Sequence, residues 1–465
     1  MAAATSALTE RPVRRRTDET LSDRIRRSAA ATTGAQLDTA DVAAWLDERR
    51  QANRFTVDRI PFADLRDWSF DPDTGNLGHR SGRFFTVEGV HVTVDDPHLD
   101  WHQPIIRQPE VGILGLLAKE FDGVLHFLMQ AKMEPGNRNL LQLSPTVQAT
   151  RSNYSKVHRG ADVRYIEHFT SGLDRTRVLA DTLQSEHGSW FLHKSNRNMV
   201  VEATGDVPLH DGFCWLTLGQ IATLLHHDNV INMDSRTVLS ILPFGDAYES
   251  ALHSDTELLS WITAERAGHD VHLTRVPLAG LPGWIRDDDA ISHADGRYFQ
   301  VVAVSVEAGN REVTRWTQPL FEPCGTGVTA FLHRRIDGVP HVLVQARVEG
   351  GFLDTIELGP TVQYVPDNYA HLSGADRPPF LDLVLNADPA AIRYEALHSE
   401  EGGRFLYAES RYLIVDVDER QAPLQPPPGF AWVTRGQLTS LVRHNHYVNV
   451  QARTLLACLN ATGDS

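Results

Sequence analysis

The stretch HFLMQAKMEPGNRNLLQLSPTVQ at residues 126–148 returns as HVLVQARVEGGFLDTIELGPTVQ at 341–363, and this return decides how the chain is organised. Other segments repeat in the same order. GRFFTV at 82–87 matches GRYFQV at 296–301, WHQPII at 101–106 matches WTQPLF at 316–321, and Asn153-Tyr154 matches Asn368-Tyr369. SEHGSWFL at 185–192 matches SEEGGRFL at 399–406, and FCWLTLGQIATLL at 213–225 matches FAWVTRGQLTSLV at 430–442. Asn232 and Arg236 then match Asn449 and Arg453. The offset stays near about 215 residues, far too long for a solenoid repeat and typical of a duplicated domain. The chain therefore divides into module one at 38–243, a linker at 244–253 and module two at 254–459. Residues 1–37, Arg-rich and without an apolar stretch, are expected to form a flexible arm.

Composition limits the function classes. With 42% hydrophobic and 22% charged residues, the 465-residue chain is of ordinary globular type. Its net charge of -16 disfavours a nucleic-acid surface, which needs clustered Lys and Arg. No run approaches the roughly 20 apolar residues that cross a bilayer. Cys214, Cys324 and Cys458 stand alone, so neither a disulfide framework nor a CxxC metal site is present, and a reducing cytoplasm is the expected setting. The Arg-rich N-terminus lacks the apolar segment of a secretory signal.

Local patterns predict an α+β fold with mixed, largely antiparallel sheets and flanking helices. A helix over 39–51 has Thr39 as its N-cap and Val42, Trp45 and Leu46 on one face. RFFTVEGVHVTV at 83–94 alternates as a strand does. Residues 111–134 read as a hairpin turning at Asp122-Gly123, with Asp337-Gly338 as its counterpart. WFLHKSNRNMVVEA at 190–203 reads as a second hairpin with a polar turn, and 217–229 as an amphipathic helix capped by Thr217.

Strand alternation puts Gln130, Lys132 and Glu134 on one face, and Gln345, Arg347 and Glu349 likewise in module two. Such a face either lines a ligand cleft or is a solvated outer surface with cross-strand ion pairs. Trp68 and Trp284, read as loop residues, suit stacking on a base or sugar, or else belong to the core. Arg151, Arg347 and Arg404 are either diphosphate clamps or surface arginines. No GxGxxG, P-loop or Tyr-x-x-x-Lys signature occurs; Gly325-Thr326-Gly327 is too short a glycine pattern. His226-His227 and His444-x-His446 lack partners at ligand spacing, so no metal site is expected there.

At QAKMEPGNRNLLQLSPTVQATRSNY, residues 130–154, and its second copy at 345–369, the chain resembles the nucleotide-diphosphohexose 2,3-dehydratases of deoxysugar biosynthesis in antibiotic-producing bacteria. The resemblance covers nearly everything beyond the arm. It implies two homologous Nudix-like modules, a homodimer and no cofactor; the glutamate-rich Nudix helix is missing, as suits a fold reused without pyrophosphate hydrolysis. It implies dTDP-4-keto-6-deoxyglucose as substrate, and a 3,4-diketo-2,6-dideoxy product that a separate NADPH-dependent 3-ketoreductase captures. It places substrate contacts at Trp68, Thr150, Arg151, Ser152, Asn153, Tyr154 and Ser189. In module two they fall at Trp284, Arg347, Thr361, Val362, Gln363, Asp367, Asn368, Gly402, Gly403 and Arg404. The reaction needs a base at C3, a partner for the C4 enolate and an acid at the C2 hydroxyl. Side-chain chemistry nominates Glu134 or His187, Lys132 and Tyr154 in those roles. Lys132 and His187 become Arg347 and Glu401 in module two, and arginine stays charged, so module one is expected to be catalytic and module two to bind nucleotide sugar. The competing readings are a non-catalytic nucleotide-sugar-binding protein and a magnesium-dependent Nudix-type pyrophosphohydrolase.

Overall fold

Asp122 and Gly123 have φ of 49° and 78°, the left-handed pair of a tight hairpin turn, and Asp337 and Gly338 repeat it at 48° and 83°. The first turn joins strands Gly112–Phe121 and Val124–Met133, which open a seven-stranded sheet. The second joins Gly327–Ile336 and Val339–Arg347 in an equivalent sheet. In each sheet one pairing is parallel: Ser195–Glu202 lies beside Gly112–Phe121, and Glu409–Asp416 beside Gly327–Ile336. The other pairings are antiparallel, and helices flank the sheets, so the chain is α+β. The computed structural model describes residues 19–95, 99–150, 163–170, 177–244, 250–309 and 314–462.

Both faces of the seven-stranded sheets are covered, which explains their nearly unbroken apolar strands. Leu114, Leu116 and Ala118 point into one apolar cluster, while Ile113 and Leu117 point into another. The first cluster is shared between the repeats: Met129, Leu143 and Val238 pack in it with Val344, Leu358 and Leu456. Helices Met233–Ser240 and Val450–Thr462 meet at this junction.

Two five-stranded sheets cross the repeat boundary. Phe55–Ile60, from the first repeat, pairs with Phe299–Ala308 of the second. Val271–Val276, from the second, pairs with Thr86–Val94 of the first. Each repeat thus lends its opening strand to its twin, and neither closes on itself.

Several sequence expectations need correction. Within the arm, Glu19–Ala30 form a helix, because Leu21 and Ile25, one helical turn apart, bury an apolar stripe. Arg24 anchors that helix, Glu19–Ala30, to Glu120 at 3.0 Å and to Glu202. Thr39 does not cap an α-helix; it begins a single 3-10 turn and donates to Thr32 O at 2.8 Å, with Asp41 in the cap position of Val42–Ala52. Residues 190–203 are not a hairpin. Ser195–Glu202 is one strand, paired with Val178–Ser185, and its polar run Ser195–Asn198 is ladder rather than turn. The Thr217 capping box is formed as expected. Among the described residues no helix is long and apolar enough to cross a membrane.

The repeats lock through glycines. Gly136 N donates to Gly402 O, and Gly351 N donates to Gly188 O, at 2.7 and 2.8 Å. A Cβ at Gly136 would overlap the carbonyl oxygens of Phe405 and Gly402, and one at Gly351 those of Phe191 and Gly188. Gly136→Ala and Gly351→Ala are each expected to cost about 2–4 kcal/mol in urea unfolding, while Gly205→Ala, open to solvent, changes stability by less than about 0.5 kcal/mol. Equal stability of all three variants would contradict this docking.

Candidate functional site

The polar face shared by the repeats is not a solvated surface: Glu134 is 5% and Glu349 6% exposed. Glu134 accepts from Gln148 Nε2 at 2.7 Å and from Asn137 Nδ2 at 3.3 Å, with Lys132 Nζ at 3.5 Å. Glu349 accepts from Arg347 Nε at 2.7 Å and from Gln363 Nε2 at 2.9 Å. Gln148 and Gln363 in turn accept from Asn232 and Asn449, whose own carbonyls cap the following helices. Buried carboxylates require such partners, and the same basic–acidic–amide–amide chain is built twice.

Each polar chain is completed by the other repeat. The turn after Val178–Ser185 docks on Gly351, and the turn after Ile392–Ser399 docks on Gly136. His193 and Tyr407, at φ 49° and 52°, redirect the chain as it leaves each turn. Their amides donate to Gly351 O and Gly136 O. His187 therefore does not join Lys132 and Glu134. It reaches the second repeat, where its Nε2 lies 3.0 Å from Glu400 Oε2. Glu401 travels the opposite way.

In the first site the charged neighbours are Glu134, Glu186, Asp234 and Glu401 with Lys132, Lys194 and Arg404. Burial, followed by the charges of Glu401, Glu186 and Glu134, holds the Asp234 carboxyl well above the usual carboxylate range. Burial and then the Glu186 charge push Glu401 up to about 7. Burial lowers Lys194, whose Nζ donates to Asn196 Oδ1 at 3.0 Å. Arg404 donates to Gln108 Oε1 at 3.0 Å and lies 4.4 Å from the Phe85 ring centre. A site crowded with carboxylates retains protons near neutral pH, which is what acid–base chemistry requires.

The second site opens on a cavity of about 900 Å³. Trp284, Arg347, Gln363 and Asn368 line it from the second repeat, and His187 and Ser189 from the first. Trp284 Nε1 donates to His102 O at 2.7 Å. Of the predicted contacts, these gather in one place.

Others do not. Trp68 is a core ring: it opens the strand Trp68–Phe70, is 9% exposed, and donates to Thr317 O at 2.9 Å. Thr361 accepts from Leu332 N at 3.0 Å and supports the sheet, and Val362 is fully buried in the core. Asp367 lies in the 3-10 turn Pro366–Tyr369. Gly402, Gly403 and Arg404 belong to the crossing turn; Gly402 and Arg404 meet Gly136 and Gln108 of the first repeat, while the Gly403 carbonyl accepts from Gln318 of the second. Thr150 follows the strand Val147–Ala149; Arg151, Ser152, Asn153 and Tyr154 lie outside the described residues. Sequence reasoning missed Glu186, Lys194, Asp234 and Glu400. The only hint was that SEHG and SEEG repeat, which marks a shared turn without saying where it points.

Comparison with known proteins follows the same duplication. A sequence model of the NDP-hexose 2,3-dehydratase family matches residues 39–242 and again 255–459. A protein of Amycolatopsis orientalis named dTDP-4-dehydro-6-deoxy-alpha-D-glucopyranose 2,3-dehydratase is 64% identical over 455 residues, covering 97% of this chain and 96% of its own. Proteins of the same name from Streptomyces violaceoruber and Saccharopolyspora spinosa are 51% and 50% identical. They cover 92% and 93% of this chain, and 98% and 94% of their own.

The His187–Glu400 pair sets a pH dependence. Burial alone would lower the His187 pKa, but the hydrogen bond and charge of Glu400 outweigh it and leave it raised above 6.5. Burial works the other way on Glu400, yet His187 leaves it below 4.5. The histidine's stabilisation is complete below its unfolded pKa and fades as pH rises through the raised value. The glutamate's share holds above its unfolded pKa and fades as pH falls. His187→Gln is expected to cost about 3–5 kcal/mol near pH 6, with the cost shrinking toward pH 9. Urea unfolding across that range tests it, and a pH-independent cost would refute the charged pair.

Proposed function

The chain belongs to the NDP-hexose 2,3-dehydratase family, and we propose on that footing that it is a carbon–oxygen lyase removing water across C2 and C3 of dTDP-4-keto-6-deoxy-D-glucose. The observation that carries this reading is the identity of at least 50% to three 2,3-dehydratases of that one substrate over 92–97% of the chain.

The chemistry begins at the C4 ketone, which acidifies the C3 proton. A base removes that proton, the electron pair moves into an enolate on the C4 oxygen, and the C2 hydroxyl leaves as water. The resulting 2,3-enol relaxes to the 3,4-diketo-2,6-dideoxy sugar, with a solvent proton added at C2. We assign the elimination to the first site. Glu401 is the C3 base, because its pKa of about 7 suits proton abstraction at neutral pH. It takes the place that side-chain chemistry offered to His187. Glu134, the other candidate, is held by Gln148 and Asn137, and in this reading orients Lys132 toward the C4 oxygen. Tyr154 protonates the departing hydroxyl. The cavity of the second site, with Trp284 and Arg347, holds nucleotide sugar.

The finer parts of the proposal are that each half is Nudix-like, that the chain acts as a homodimer in the cytoplasm of an antibiotic-producing cell, and that an NADPH-dependent 3-ketoreductase consumes the product. The product, a vicinal diketone, is reactive and benefits from immediate reduction.

Glu401→Gln, Glu134→Gln and Tyr154→Phe are each expected to lower kcat by about 10²–10⁴ while dTDP still binds. In wild type, kcat/KM rises with pH through about 7 as Glu401 ionises, and Glu401→Gln loses that limb. Incubation in deuterated water with a 3-ketoreductase and NADPH places deuterium at C2 of the trapped sugar. Unchanged substrate mass would indicate a binding protein, and cleavage at the diphosphate a hydrolase. Full activity of the Glu401→Gln enzyme would remove this residue from the mechanism.

A further inference from the structure

Beside the second site, three metal-ligating side chains meet on the sheet formed by Thr86–Val94 and Leu99–Arg107, and two of them line its cavity. His91 faces His102 directly across the antiparallel ladder, and Asp100 stands two residues before His102 on the same strand. Side chains two apart on a strand share a face, so all three point the same way. The two imidazoles stack in parallel with centres 4.2 Å apart, and His91 Nε2 lies 2.7 Å from Asp100 Oδ1. One ligand atom from each of the three fits within a 4.8 Å span. This is the one such group of His, Cys, Asp or Glu among the described residues; His226-His227 and His444-x-His446 form none.

We propose that His91, Asp100 and His102 bind a single divalent ion of the zinc class. Two imidazole nitrogens and one carboxylate are a common zinc set, and three protein ligands leave one position open for water or an anion. Bonds of about 2.0–2.2 Å require ligand atoms about 3.3–3.5 Å apart, so the group must contract and the stacked imidazoles must turn until their in-plane lone pairs converge. Its side chains are free to do this: those of His91 and Asp100 are 33% and 49% exposed.

The location gives the ion a consequence. Asp100 and His102 also line the 900 Å³ cavity, and Trp284, which lines it too, is bonded to the His102 carbonyl. An ion here borders the cavity and ties the strand that carries Trp101 and Gln103 along its wall to the neighbouring strand.

The test uses the full chain, stripped of metal with EDTA and titrated with ZnCl₂ by calorimetry and with CoCl₂ by visible absorption. One ion per chain is expected, with cobalt giving the intense bands of a four-coordinate site. His91→Ala and His102→Ala are each expected to weaken binding at least about tenfold. Asp100→Asn, which keeps the side-chain shape, does the same and serves where a histidine variant fails to fold. His226→Ala, remote from the group, leaves binding unchanged. Absence of saturable binding, or binding that survives both His91→Ala and Asp100→Asn, overturns the proposal.

Discussion

Two fully buried arginines hold the molecule together at its centre. Arg236 donates to Ser399 O at 2.6 Å, and Arg453 donates to Ser185 O. Each also returns a donor to its own repeat, Arg236 to Ile231 O and Arg453 to Val448 O. Arg453 Nε donates to Thr237 Oγ1 at 2.7 Å, and Arg236 Nε to Thr454 Oγ1 at 3.4 Å. A buried guanidinium carries five donors and cannot shed its charge cheaply, so every acceptor around it must be in place. Those acceptors include the last residues of Val178–Ser185 and Ile392–Ser399, where the crossing turns begin. The arginines therefore fix where the turns start, and the glycine contacts fix where they land. Swapped opening strands and a common apolar cluster follow the same logic: the two repeats fold as one unit.

This construction makes both sites composite while letting them differ. Beside the first polar chain stand Lys132, Asp234, Lys194 and, from the second repeat, Glu401 and Arg404. At the corresponding places around the second stand Arg347, Gln451, Ala408, His187 and Trp190. The first set is dense in carboxylates whose mutual repulsion and burial hold protons near neutral pH. The second is lined by Asp100, Asp295, Glu349, Glu400 and Glu409, and its wall includes Trp284, Trp190 and Tyr298. A buried cluster of acids suits proton transfer; a cavity of about 900 Å³ with an aromatic wall suits holding a base and a sugar.

What could be read from the sequence was local. The duplication shows as self-similarity, and the Asp-Gly hairpins and the Thr217 cap depend on neighbours a few residues apart and are formed as the patterns indicate. The crossing was not legible, because a repeat has the same period whether its turn folds back on its own half or reaches into the other. That is why His187, adjacent to nothing informative in sequence, was grouped with Lys132 and is found beside Glu400. Trp68 looked available because it follows a helix and a turn-like stretch; its ring is instead covered by Phe85 and by the strand that carries Thr317. Ser195–Asn198 resembled a turn because polar residues in a buried strand are rare. Here they are tolerated because Asn196 and Asn198 bond to Glu186 and Thr237.

Fusion of the two copies has a further physical consequence. In a symmetric pair of separate chains, each site receives the same crossing residue, because one sequence supplies both turns. A histidine at that position would then face both polar clusters, and so would a glutamate. Within one chain the two turns are encoded separately. Glu401 can raise the proton affinity of the first cluster while His187 pairs with Glu400 in the second, each without compromising the other. The exchange of strands and turns that makes the halves inseparable is also what allows each half to tune the site of its twin.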